Sequence, residues 1–253
     1  MNSHKYHLKI IPGTNQFVID ELIAKFPQTI INHQANDRIE FSSTINDILE
    51  FENIHSAISI TNSDKFNINL HKKSWRIKTL PASTHPSLAY ILCQIAKLKP
   101  TDTIYDPFCG CGTIPITAIK LFNIKQAFAS DLSGKAIDFC QINSEKAHIS
   151  NKKLIIFRSN ISMTKLAPSS INSIISNLPF GIRTGNHEKN IKLYKILSHK
   201  CQSMLHINGV GIFLTQEKKL FLETFSPIFQ VKKITTVDIG GLTPDIYKIK
   251  KIS

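Results

Sequence analysis

The sequence predicts an α/β protein: a mostly parallel sheet with helices on both faces over residues 81–253, preceded by a smaller α+β unit over residues 1–80. Three observations predict it. Beyond Pro86, short apolar runs alternate with helix-length amphipathic segments. A glycine-bearing turn, "FCGCG", stands between the first of these strands and its helix, where open α/β sheets hold ligands. Before Pro86 the order changes, with two strands in succession between two helical segments.

The first unit reads as strand "KYHLKII", a turn at Pro12 and Gly13, helix "NQFVIDELIAKF", strands "TIINHQ" and "RIEFSS", helix "INDILEFENI" and strand "SAISIT". That β-α-β-β-α-β order is ferredoxin-like. Residues 62–86, with Lys72, Lys73 and Arg76, form a connecting segment, either solvated or set against a nucleic acid. In the larger unit, helix "SLAYILCQIAKL" leads to strand "DTIYD", helix "IPITAIKLF", strand "QAFAS", helix "KAIDFCQINSEKAH" and strand "KLIIF". Strand "INSIIS", helix "NIKLYKILSHKCQSML", strand "VGIFL" and a further helix follow. The last two strands, "VKKITTV" and "DIYKIK", have no helix between them and predict an antiparallel edge.

With 253 residues the chain has room for one large domain or two unequal ones. No stretch approaches the ~18 consecutive apolar residues of a membrane span. The polar start "MNSHKYH" carries no signal for secretion, so a cytoplasmic protein without membrane contact is expected. Five cysteines, an odd number with no CxxC pair, argue against a disulfide framework. Cys109 and Cys111 flank a single glycine, too tight for zinc, and no metal is expected. The formal charge of +13 invites a polyanionic partner. Residues 1–80 hold 9 Lys/Arg against 8 Asp/Glu, and residues 81–253 hold 22 against 10. A compositional bias toward lysine would spread that excess evenly, so its concentration points to a nucleic-acid surface on the larger unit.

The chemistry gathers at the predicted strand tips. Gly110 and Gly112 in "DPFCGCGT" allow a sharp turn and close approach of a ligand. Ile114 and Pro115 follow Thr113 where a P-loop would carry Lys and Ser/Thr, and the third glycine of the dinucleotide pattern is absent. Asp106, at the strand end, suits a cation such as an α-ammonium group. Asp131, 25 residues on in "ASDLS", is placed to accept both hydroxyls of a ribose. An amino-acid end and a ribose end without phosphates describe S-adenosylmethionine.

The fourth strand of the larger unit ends in "SIISNLPFGIR", where a polar turn is expected and an apolar one stands. An exocyclic amine on a base is a poor nucleophile because its lone pair is delocalised into the ring. The Asn177 side-chain carbonyl and the Leu178 main-chain carbonyl could bind its two hydrogens, with Pro179 fixing the chain direction. Phe180 could stack on the extruded base.

These residues resemble a known family. "HPSLAYILCQIAKLKPTDTIYDPFCGCGTIPITA", "ASDLS", "SNLPFGIR" and "GGLTPDIYKIKKI" resemble, in order and spacing, the RNA guanine-N2 methyltransferases that usually carry a THUMP domain. The likeness spans roughly residues 80–253, and "KYHLKIIPGTNQFVIDEL" is similar to their N-terminal ferredoxin-like domain. It implies a Rossmann-like class I methyltransferase with a seven-stranded, mostly parallel sheet, acting on a guanosine in tRNA or, in related members, rRNA. It also implies a cofactor site made by Asp106, Phe108, Gly110, Gly112, Thr113, Asp131, Leu132, Asn160 and Ile161, a catalytic Asn177-Leu178-Pro179-Phe180 stretch, and Arg183 beside Phe180 at the target base.

Three departures accompany the resemblance. A THUMP module needs about as many residues as the whole N-terminal segment, so it is expected to be missing, which leaves room for a protein partner that replaces it. Asn160 stands in "RSNIS" where an acid is usual, and Thr117 where a Glu is frequent, so weaker cofactor binding is expected. The alternatives are an N6-adenine nucleic-acid methyltransferase, whose amine poses the same problem, and a non-catalytic RNA-binding relative. A protein-glutamine methyltransferase shares the motif logic but not the basic surface.

Overall fold

Apolar residues sort into two sheets in the structure, a computed structural model that describes residues 3–181 and 187–251. The first sheet holds β1 (His4–Lys9), β2 (Ile30–Gln34), β3 (Arg38–Ser43), β4 (Ser59–Asn62) and β5 (Asn67–Asn69), in the order β2-β3-β1-β4-β5 and antiparallel throughout. Alternation sets its register: Tyr6 and Leu8 of β1 lie opposite Phe41 and Ile39 of β3, all four facing inward. Helix α1 (Asn15–Lys25) covers them with Val18 and Leu22.

The second helix expected in this unit does not form. Residues 48–53 make a 3-10 turn instead, capped by Asp47, whose carboxylate accepts the Leu49 N–H at 2.9 Å. Its buried residues are Ile48 and Phe51, three apart, which suits a three-residue turn and gives an α-helix only a narrow stripe. The connecting segment adds a strand that its sequence did not announce, β5, paired to β4.

The larger unit, with its seven-stranded sheet, contains α2 (Pro86–Ala96), β6 (Thr103–Asp106), α3 (Thr113–Phe122), β7 (Gln126–Asp131), α4 (Gly134–Lys146), β8 (Leu154–Arg158), β9 (Ile171–Asn177), α5 (His187–Met204), β10 (Leu205–Thr215), α6 (Lys218–Phe225), β11 (Phe229–Thr236) and β12 (Asp245–Lys251). Its order is β11-β12-β10-β9-β6-β7-β8, parallel from β10 to β8, with β12 antiparallel to both neighbours. The closing hairpin is the antiparallel edge, and the last strand inserts one place inward. On one face α2, α3 and α4 pack over Ile175, Ile212 and Ile246; on the other, α5 and α6 pack over Ile174, Phe213 and Tyr247. The chain runs outward from β6 to β8 and returns to β9 on the other side of β6, so the switch point falls between β6 and β9. No described helix is long and apolar enough to cross a membrane.

The connecting segment keeps most of its residues exposed, Lys72 among them, but is pinned to the larger unit at a few points. Trp75 is buried in the core beneath α2 and α3, although it precedes residue 80. Asn143 of α4 accepts the Ile77 and Lys78 N–H groups at 3.1 and 2.9 Å and donates to the Lys78 and Cys111 carbonyls at 2.8 and 2.9 Å. Residues 75–85 thus form a strap fastened to the glycine turn. The small unit also docks directly: Ser87 Oγ donates to the Ala57 carbonyl at 2.7 Å, and the Asp238 N–H to the Pro12 carbonyl at 3.1 Å.

That docking needs a glycine at position 13. Gly13 has φ +87, and a Cβ there would lie 1.9 Å from the Thr236 carbonyl oxygen. Gly240, at φ +76, has nothing within 4 Å of the equivalent atom. Gly13→Ala is therefore expected to cost about 3 kcal/mol, strain plus displacement of β11, and Gly240→Ala about 1 kcal/mol from strain alone. Urea denaturation of the two variants checks the difference; equal losses would show that the close approach is unimportant.

Candidate active site

Asp106 ends β6 and is only 1% exposed. Its Oδ1 accepts the Ser176 hydroxyl at 2.6 Å and the Phe108 N–H at 3.2 Å. Burial pushes its carboxyl up to about 7, against the pull of those two hydrogen bonds, and the Asp131 charge adds to the rise. The chain then turns through Gly110 (φ +52) and Gly112 (φ +82). A Cβ on Gly112 would meet Cys140 Sγ at 2.5 Å, so that glycine seats the turn on α4; Gly110 opens onto space. Gly110 donates its N–H to Asp131 Oδ2 at 3.0 Å, and Ser133 donates its own to Oδ1 at 2.9 Å. The turn thus ties the tip of β6 to the tip of β7.

Helix α3 begins at Thr113 with no side-chain cap and no acid in its first turn, which leaves its first N–H groups and positive dipole end available to an anion. Leu132 is 62% exposed beside Asp131, an apolar shelf on the open side. Thr113 is buried, its Oγ1 accepting from Arg76 Nε at 3.4 Å; Phe108 is half-buried against the core under α5. The arrangement suits a ligand with an ammonium and carboxylate head and a pair of neighbouring hydroxyls. Asn160 and Ile161 fit the expected roles less well. Asn160 Oδ1 already accepts from Ser162 N and Oγ, both at 3.1 Å, as the cap of a 3-10 turn, and the Ile161 side chain lies in the core, leaving only its main chain to face a ligand. Thr117 is buried within α3.

One strand over, β9 ends in Asn177, immediately after Ser176. Asn177 Nδ2 donates to Thr84 Oγ1 at 3.3 Å, whereas its Oδ1 is buried and has no hydrogen-bond partner among the described residues. An unpaired buried acceptor costs free energy, about 1–3 kcal/mol, and so marks a group awaiting a donor. Leu178 sends its N–H to the Leu214 carbonyl at 2.9 Å and its side chain into the core, so its contribution to a site is its main chain. The Pro179 carbonyl accepts from Asn190 Nδ2 and from Tyr194 Oη, each at 3.1 Å. Phe180 is half-buried against the core under α2–α4. Arg183 lies outside the described residues.

The sequence reading missed the groups that hold this tip. Tyr194 is backed by the Thr215 hydroxyl at 2.8 Å, Thr215 accepts the Glu217 N–H at 3.0 Å, and Asn190 Nδ2 also reaches Glu217 Oε1 at 3.2 Å. Asn190 and Tyr194 are four apart on α5 and both buried, a polar pair on the inward face that a helix-face count could have flagged. Thr84 had no such signal, because the strap containing it has no periodicity.

The carboxyl of Asp106 titrates near 7 when folded and near 4 when unfolded, so the folded chain holds an extra proton between those values. The stability this contributes is complete below about pH 4 and is lost as pH rises through about 7. Asp106→Asn is expected to flatten the pH profile of stability over that window. Urea denaturation at stepped pH checks it, and a variant profile as steep as that of the wild type would refute the assignment.

Comparison with known proteins places the fold and the family. The chain is 29% identical over 188 residues to the mouse tRNA (guanine(6)-N(2))-methyltransferase THUMP3, an alignment covering 68% of this chain and 37% of that protein. It is 25% identical over 219 residues to the tRNA (guanine(6)-N2)-methyltransferase of Methanocaldococcus jannaschii, covering 71% of this chain and 57% of the relative. The chain thus spans between about a third and somewhat over half the length of these curated relatives. The crystal structure of TrmN from Thermus thermophilus superposes with a TM-score of 0.86 at 16% identity, over 98% of this chain and 100% of that one, which shows the Rossmann-like class I fold. Residues 73–244 match the family described as RMKL-like, methyltransferase domain, a span that begins just before Trp75 and holds every candidate site residue, and the chain belongs to that family.

Proposed function

We propose that this chain is an S-adenosylmethionine-dependent RNA methyltransferase acting on the exocyclic N2 amine of a guanosine, with tRNA as the substrate class. The observation that carries the reading is the buried, unpartnered Oδ1 of Asn177, held in place through its own amide by Thr84. S-adenosylmethionine, when bound, supplies a methyl group on a sulfonium. Asp106 offers its Oδ2 to the α-ammonium, the open start of α3 faces the carboxylate, Asp131 accepts from the ribose hydroxyls with its remaining lone pairs, and Leu132 supports the adenine. Asn160, spent on its cap, adds little to that adenine contact.

The chain's task is then orientation and electrostatics. Asn177 Oδ1 and the Leu178 carbonyl accept the two hydrogens of the amine and draw its lone pair out of conjugation. Phe180 presents its ring to the extruded base, and the clamp on the Pro179 carbonyl keeps these groups in register. The names of the mouse and archaeal relatives support guanine N2 in tRNA as the target.

Incubation with labelled cofactor and unmodified tRNA, followed by nucleoside mass spectrometry, is expected to yield N2-methylguanosine. Label in N6-methyladenosine would overturn the choice of base, and no labelled nucleoside at all, with cofactor bound, would mark a non-catalytic RNA binder. Asn177→Ala is expected to lower kcat by roughly 100- to 1,000-fold with cofactor affinity unchanged, as for loss of a preorganised charge-stabilising group. Thr84→Val removes only the partner of the Asn177 amide; a fall of about tenfold in kcat, rescued by Thr84→Ser, is expected from steady-state kinetics. A Ser variant as slow as the Val variant would count against orientation by this hydroxyl.

A further inference from the structure

We infer that four lysines at the far end of the larger sheet, Lys97, Lys232, Lys248 and Lys250, form a phosphate-binding platform that grips the RNA backbone away from the target base. The inference rests on the RNA reading above and adds where, besides the strand tips, the RNA is held.

The strand register assembles the cluster. Lys232 of β11 lies directly opposite Lys248 of β12, and Lys250 lies two residues further along the same strand. Because Ile246 faces the core under α2, Lys248 and Lys250 point to that same side by the period of two. Lys248 is half-buried, with its Nζ donating to the Ile95 carbonyl at 3.4 Å, near the end of α2. Lys97 caps that end in the left-handed conformation at φ 57 and is exposed, as are Lys232 and Lys250.

Among the described residues no carboxylate forms a salt bridge with these four lysines. Neither α2 nor β11 contains an acidic residue. The one acid of β12, Asp245, sits at the opposite end of the strand and is already paired with Lys218 at 3.2 Å and Lys233 at 3.0 Å. Lys248 is held below its usual pKa by burial and by the charges of Lys97, Lys250 and Lys232. Like charges facing each other across a strand pair are destabilising, so this arrangement weakens the fold unless an anion occupies it. Neighbouring strands about 4.8 Å apart, and alternate residues about 7 Å apart, space the backbone attachment points of Lys232, Lys248 and Lys250 on the scale of consecutive phosphates rather than of one small anion.

Position gives the platform its meaning. Lys250 pairs with Val210, five residues before Thr215 at the catalytic end of β10, which is about 17 Å along the strand. A nucleoside or a short fragment bound at Asn177 does not reach it. A folded RNA does, so the lysines select for long substrates through binding and leave the methyl-transfer step alone.

The test uses the full chain and an unmodified tRNA transcript. A Lys97→Gln/Lys232→Gln/Lys250→Gln variant is compared with a control that carries Lys65→Gln/Lys125→Gln/Lys152→Gln, exposed lysines outside the cluster, in the β4–β5 turn and just before β7 and β8 at the other edge of the larger sheet. The platform variant is expected to bind tRNA about 10- to 100-fold more weakly at moderate salt, with the slope of log affinity against log salt reduced by roughly two. Its KM for tRNA should rise while kcat at saturating RNA and cofactor affinity stay unchanged, and its thermal midpoint should hold or rise as repulsion is relieved. Equal losses in the control would show diffuse charge attraction and overturn the platform, as would unchanged affinity and salt slope in the platform variant. Loss of binding to phosphatidylserine vesicles with tRNA binding intact would reassign the surface to a membrane. A wild-type chain without measurable tRNA affinity would overturn the RNA reading together with the platform, whereas wild-type methylation of tRNA with an unaltered variant KM would overturn the platform alone.

Discussion

A single hydrogen bond at the centre of the sheet, from Ser176 to Asp106, joins the two halves of the site. Asp106 ends the first parallel strand and starts the glycine turn; Ser176 is the last residue before Asn177. A carboxylate buried this deeply is stable only with donors aimed at it, and the donors here come from the turn and from the neighbouring strand tip. The carboxylate that would meet the ammonium of the cofactor therefore also fixes the height at which Asn177 emerges. Geometry on one side of the switch point cannot shift without disturbing the other.

Around that bond the chain arranges successive layers of support. The strap of residues 75–85 lies across the glycine turn, held by Asn143 below and reaching Asn177 through Thr84. Its fastening makes the small N-terminal unit and the larger sheet contiguous, since Trp75 and Gly13 are placed by contacts with the larger sheet. From the opposite face, α5 contributes Asn190 and Tyr194 and the segment after β10 contributes Glu217, all converging on the carbonyl of Pro179 or its immediate partners. Basic charge is arranged differently: Lys218 and Lys233 are neutralised by Asp245, and the lysines across the sheet from them are left facing one another.

Legibility from sequence followed the range of the interactions. The larger sheet was readable because each strand and helix carries its own apolar period, and the glycine turn and the two acids because they stand at strand ends where ligands bind. The apolar tip at Asn177 to Phe180 was readable because it breaks the rule for turns. The 3-10 turn at Ile48–Asn53 was misread as a helix, since six residues contain too few turns for 3.0 and 3.6 periods to separate. Asn160 was read as part of the cofactor site, and the local cap that occupies its carbonyl is visible only with the backbone in place. Thr84 and Asn143 act over separations of 93 and up to 66 residues, and no local pattern encodes a bond of that kind.

Glu217, which braces the grip on Pro179 through Asn190, has a second set of contacts. Gly181, whose missing Cβ would sit 2.7 Å from Glu217 Oε1, and His187, whose ring nitrogen meets Glu217 Oε2 at 2.9 Å, flank residues 182–186. Glu217 thus bonds to His187 at one margin of that segment and crowds Gly181 at the other, and the acceptor pair at Asn177 and Leu178 is set by bonds that lie outside it. The placement of Asn177 and Leu178 therefore depends on Thr84 and on the Leu214 carbonyl, and the bonds that fix the two acceptors do not run through positions 182–186.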